Sequence, residues 1–173
     1  VQLVSRRLPK EASIYLTGFS LGANVVLKYI GEHSAKDMER FQIRGAAVQC
    51  VPFDPVACQL KLDQGLSWML YTSRFLPSLK KKAIEKAKFY PDVVDGERVK
   101  AARTMGDFDD AYVAPVYGFA DNQDYYRRVD TKPLLRKISV PTLIINAKDD
   151  PFFEKTSLPT QQDIGDAPVR LVY

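Results

Sequence analysis

Histidine occurs once in these 173 residues, cysteine twice, and no apolar run is long enough to form a signal peptide or to span a membrane. Cys50 and Cys58 lack the spacing of a metal site, and a single pair makes no disulfide framework, which leaves free thiols in a reducing, intracellular compartment as the expectation. Basic tracts are scarce too. The net charge of +4 comes from 25 basic and 21 acidic residues scattered along the chain, which argues against a nucleic-acid partner. The one dense run, Lys80-Lys81-Lys82, falls in residues 77–89, where Leu79, Ala83 and Ala87 share one helical face. It reads as the solvated side of that helix rather than a site for anionic lipid.

The acidic cluster Asp107-Phe108-Asp109-Asp110 does not make a calcium loop. An EF-hand starting at Asp107 would need glycine where Tyr112 stands and glutamate where Gly118 stands. Turn or helix-start chemistry accounts for it better.

What the chain does have is Gly18-Phe19-Ser20-Leu21-Gly22 in a telling context. Ser13-Ile14-Tyr15-Leu16-Thr17 reads as a buried strand, and residues 23–30 carry apolar side chains at helical spacing. Only a tight turn fits between them. A serine on such a turn is held in a strained conformation with its hydroxyl exposed, and the flanking glycines let strand and helix approach closely. This is the pattern of a nucleophile elbow, in which the N–H of Leu21 opens the helix as an oxyanion donor.

Residues 43–50 read as the next strand, ended by Val51-Pro52-Phe53-Asp54-Pro55. From there to about residue 137 the pattern turns helical and aromatic, as in residues 66–71 and 74–76. The expected organisation is therefore a sheet core of residues 1–51 and 138–173 with a helical cap, residues 52–137, inserted in it. Aromatic side chains of the cap are read as core packing, with an acyl-binding lining as the alternative. A β-branched run at residues 140–147 precedes Lys148-Asp149-Asp150-Pro151, which puts carboxylates beyond the carboxyl end of a strand, where catalytic groups of open α/β sheets gather. An exposed turn is the alternative for that pair. Residues 168–173 read as a last strand. The chain opens on Val1 and stops inside that strand, so a domain incomplete at both termini is expected.

The blocks Gly18-Phe19-Ser20-Leu21-Gly22-Ala23-Asn24, Cys50-Val51-Pro52-Phe53-Asp54, Phe108-Asp109-Asp110, Tyr117-Gly118-Phe119, Asp124-Tyr125-Tyr126 and Asn146-Ala147-Lys148-Asp149-Asp150-Pro151-Phe152 follow one another over nearly the whole chain. In this order they resemble the YheT/EMB8-like branch of the α/β-hydrolase-domain proteins. That resemblance implies an α/β fold, the α/β-hydrolase fold, with a mostly parallel sheet and helices on both faces. It also implies a carboxylesterase or lipid hydrolase, with Asp150 rather than Asp149 as the triad acid. The family's His-Gly-rich upstream loop and its Gly-Gly-His segment after the final strand have no counterpart in these residues.

His33 cannot replace the missing base, because it lies 13 residues beyond Ser20 along the elbow helix, roughly 20 Å away at 1.5 Å per residue. A place at the helix C-terminus suits it. The expected function is a serine hydrolase cleaving carboxylic esters, acylglycerols or other lipid esters among them, through an acyl-enzyme on Ser20. Asp150 would orient a histidine outside this sequence, and no metal or cofactor is needed. A small-molecule ester or lipid is the expected partner, and any membrane association would come through an N-terminal segment outside the sequence. Two alternatives stay open: a catalytically silent hydrolase-fold binding protein and a membrane-surface lipid-binding module.

Overall fold

A computed structural model describes residues 1–173, which divide into two compact units. The first comprises Val1–Asp54, Asp130–Asp150 and Lys155–Tyr173; the second comprises Pro55–Val129 and Pro151–Glu154.

Four strands build the first unit: β1 (Ile14–Phe19), β2 (Ile43–Gln49), β3 (Thr142–Ile145) and β4 (Val169–Val172). They lie in the order β1-β2-β3-β4, every pair parallel. Each strand is rich in β-branched or small apolar residues, as a sheet with a buried face requires. β1 runs two residues beyond the expected end because Gly18 and Phe19 still pair with Val48 and Gln49. Register then aligns Phe19, Gln49, Ile145 and Val172 across the carboxyl edge.

One face of this sheet is covered. Helix α1 (Leu21–Glu32) packs on β1 and β2, and its Ala23, Leu27 and Ile30 share one buried core with Val48, Ile144 and Val169. The 3-10 segment Lys132–Lys137 joins the same core through Leu135, and Gly31 permits its close approach, since a Cβ there would stand 2.8 Å from the Cβ of Leu134. On the other side Tyr15 and Phe19 are 71% and 65% exposed.

The division between units falls at Asp54 and Asp130, not at residues 51 and 137. Residues 130–137 belong with the sheet because Thr131 and Leu135 are fully buried there and Asn24 of α1 donates its Nδ2–H to Thr131 Oγ1 at 3.4 Å.

The second unit is helical. Helix α2 (Pro55–Leu62) leads into the π-helical turn Trp68–Thr72 and the longer α3 (Ser73–Ala87), followed by α4 (Gly96–Ala101), Met105–Phe108, a second π-helical turn at Asp109–Val113 and α5 (Asn122–Val129). Its core is Leu76, Ala83, Val94, Val99, Ala102, Phe108 and Ala111. α3 begins before the expected residue 77 because Leu76 already reaches that core, and Pro77 sits inside it. Core packing of the aromatic side chains holds at Phe108 and Tyr126, both buried, but not at Trp68 and Phe75, 40% and 49% exposed. Helix-start chemistry at Asp107 holds, as its carboxylate closes a capping box with Thr104 at the head of Met105–Phe108. No helix is long and apolar enough to cross a membrane.

Candidate active site

Ser20 ends β1 and caps α1 with φ 53° and ψ −123°, the mirror image of the β region, which side chains other than glycine's rarely enter. The strain is fixed from both sides. The Ser20 N–H donates to Gln49 O at 3.0 Å, while Ser20 O accepts from the N–H groups of Ala23 at 2.9 Å and Asn24 at 3.2 Å. The hydroxyl takes no part in capping, and the residue is exposed. Leu21 is exposed as well, and its N–H belongs to the first turn, where no intrahelical acceptor exists.

The two glycines of the motif do different things. A Cβ on Gly18 would stand 2.5 Å from Gly22 O and 2.7 Å from the Ala23 N and Cα, whereas a Cβ on Gly22 would meet nothing within 4 Å. Close approach of strand and helix therefore depends on Gly18 only, which corrects the equal role expected of both.

Asp149 and Asp150 follow β3. Asp149 is exposed and Asp150 half-buried, with its N–H donating to Ala147 O at 3.4 Å. Desolvation, and after it the negative charge of Asp150, pushes the Cys50 thiol above its ordinary range. Asp150 follows β3, which pairs with β2, the strand between it and β1 with Ser20 at its end. Cys50 itself has φ 54°, and its N–H donates to Ile145 O at 2.9 Å. Neither Cys50 nor Cys58 forms a disulfide.

Asn146, which sequence reading treated only as part of a block, anchors this edge. It is 2% exposed, its Oδ1 accepts from the Val51 N–H at 3.1 Å and its Nδ2–H donates to Val51 O at 3.0 Å. A reciprocal pair of buried bonds ties the ends of β2 and β3 together just ahead of Asp150. The one signal available was a polar amide ending a β-branched run. His33 follows α1 at its C-terminal end, its Nδ1 bonded to Tyr29 O at 2.8 Å and its ring against Tyr29 at 4.2 Å. The structure holds it at the opposite end of α1 from Ser20. No cluster of side chains suited to a metal ion is present.

No family model matches the chain. The Escherichia coli protein YheT, whose name carries the word esterase, is 34% identical over 149 residues, 85% of this chain and 42% of that protein. The human phospholipase ABHD3 is 25% identical over 151 residues, 87% of this chain and 36% of that protein. The chain belongs to the YheT/EMB8-like branch of the α/β-hydrolase-domain proteins. It spans less than half the length of these curated relatives. Among solved structures, an alpha/beta fold family hydrolase from Bacillus anthracis matches with a TM-score of 0.50 at 15% identity, over 93% of this chain and 59% of that one. This shows the α/β-hydrolase fold, to which the parallel sheet and the strand-turn-helix at Ser20 conform.

Proposed function

We propose that the chain carries the nucleophile and the acid of a serine hydrolase acting on carboxylic esters, lipid esters included. The observation that supports this reading best is Ser20, whose exposed hydroxyl stands on a strained strand-to-helix turn and is not used to cap its helix. Esterase, phospholipase and ester synthase/esterase names among the relatives favour the same chemistry.

In this mechanism Ser20 Oγ attacks the ester carbonyl carbon as its proton passes to a histidine that this sequence does not contain. The tetrahedral oxyanion is held by the Leu21 N–H. Collapse expels the alcohol, which takes up the proton, and leaves an acyl group on Ser20; water then attacks by the same route and releases the carboxylate. Asp150 orients the histidine. His33 is not the base, since Ser20 precedes the first residue of α1 and His33 follows its last.

A fluorophosphonate probe on the full-length protein tests the nucleophile. Labelling that vanishes in Ser20→Ala is expected. Equal labelling of both forms would overturn the assignment.

A further inference from the structure

The second unit carries an open groove of about 740 Å3 that no step above uses. Its floor is apolar, built from Trp68, Leu76, Pro77, Ile84 and Ala102, and its rim is cationic, with Lys80, Lys81, Lys88 and Arg103 against the single carboxylate of Glu85. Residues 73–103 hold nine basic and four acidic side chains, a net +5 that exceeds the +4 of the whole chain. Four of those nine basic residues, Lys80, Lys81, Lys88 and Arg103, line this groove. Lys81, Lys88 and Arg103 form no ion pair.

The walls are tied together without a ligand. Trp68 Nε1–H donates to Arg103 O at 3.0 Å, and the Lys80 ammonium donates to Lys100 O at 2.5 Å and Ala102 O at 2.8 Å. Lys80 is therefore a bound strut between α3 and the end of α4, not a solvated member of its run. A groove held open in this way binds without first having to order its own side chains.

We propose that the groove is a binding site for a long-chain carboxylate, its tail on the Trp68, Leu76 and Ile84 floor and its head among Lys81, Lys88 and Arg103. Apolar floor and cationic rim match the two ends of such an amphiphile. Glu85 favours a single negative charge over a phosphate dianion. The choice of a fatty carboxylate also rests on the proposed ester hydrolysis, which releases one.

Trp68 is the only tryptophan of the chain, so its emission reports on the groove directly. The full-length protein, with Trp68→Phe as blank for any tryptophan elsewhere, is titrated with laurate, dodecanol, acetate, and vesicles of phosphatidylcholine with or without phosphatidylglycerol. Saturable quenching by laurate is expected, at least tenfold weaker with dodecanol and absent with acetate. The double variant Lys81→Glu/Lys88→Glu, whose positions are both exposed, should weaken laurate binding at least tenfold with an unchanged circular dichroism spectrum. Arg103→Gln is the second variant, with a smaller loss expected. Equal response to laurate and dodecanol, indifference to the charge reversals, or a response only to anionic vesicles would each overturn the site. Fluorophosphonate labelling in the same preparation separates the two readings: labelling without laurate binding removes the groove alone, and laurate binding without labelling removes the hydrolase alone.

Discussion

Gly18 lies so close to Gly22 that a Cβ on the first would stand 2.5 Å from the carbonyl oxygen of the second. The contact is backbone against backbone, which no rotamer change can relieve. Gly18→Ala should therefore push β1 and α1 apart and destabilise the chain by about 2–3 kcal/mol, at the upper end of ordinary overpacking. Gly22→Ala meets open space in a helical first turn, so its effect should be within about 1 kcal/mol and favourable in sign. Urea unfolding midpoints of the two variants check this. Equal losses would show that the two glycines share the packing role after all.

Strain at Ser20 leads to a separate outcome. A non-glycine residue at φ 53°, ψ −123° costs on the order of 1–3 kcal/mol, and glycine does not bear that cost. Ser20→Gly should gain about 1 kcal/mol after the larger entropy of the unfolded glycine is counted, while removing the proposed nucleophile. Ser20→Ala keeps the strain and should gain nothing. Thermal unfolding of the three forms decides, and a Ser20→Gly no more stable than Ser20→Ala would mean that the turn is relaxed in solution.

The two aspartates after β3 differ in exposure, and only Asp150 acts on the Cys50 thiol. Asp150→Asn in the full-length protein should lower kcat by on the order of 10⁴ with KM little changed, because a triad acid orients the base rather than binding substrate. Asp149→Asn should stay within about threefold of wild type, as a surface carboxylate away from the chemistry would. Steady-state kinetics on a short-chain p-nitrophenyl ester make the measurement, and the reverse pattern would move the acid to Asp149.

The parts of the site that were legible in sequence are those carried by local signals. A β-branched run, a small-residue turn and an apolar helical period mark β1, Ser20 and α1 because each is specified within a few residues. Contacts between distant residues left no such trace. Asn146 and Val51 are 95 residues apart, and nothing in either segment announces that the amide brackets that particular peptide group. The Lys132–Lys137 segment clusters with the sheet unit, which its sequence does not announce, because a short 3-10 turn offers only Leu134 and Leu135 as branched apolar residues, too few for a period. Trp68 and Phe75 read as core for the opposite reason. An apolar side chain reads the same in sequence whether it is buried or exposed.

Asp109 supplies a pH-dependent test of the helical unit. Its carboxylate accepts from Tyr126 Oη at 2.7 Å, yet desolvation first, then the charges of Asp63 and Asp110, push it up to about 6. Tyr125 and Tyr126, which also face it, are held above their ordinary range by burial and by Asp109 itself. An acid raised in the folded state binds more protons there than in the unfolded chain, so the folded form loses stability as pH climbs from about 4 to about 6. The penalty is absent below that window and complete above it. It amounts to at most about 3 kcal/mol, and less for the part of the carboxyl that still meets water. Asp109→Asn keeps an acceptor for Tyr126 and removes the charge; it should stabilise the chain by about 1–2 kcal/mol at pH 8 and by close to nothing at pH 3.5. Tyr126→Phe should act in the opposite direction by removing the one bond that lowers this carboxyl, which widens the window upward. Urea midpoints across pH 3.5 to 8 read both effects. A gain from Asp109→Asn that is the same at the two ends of the range would show that the carboxyl titrates as an ordinary exposed one.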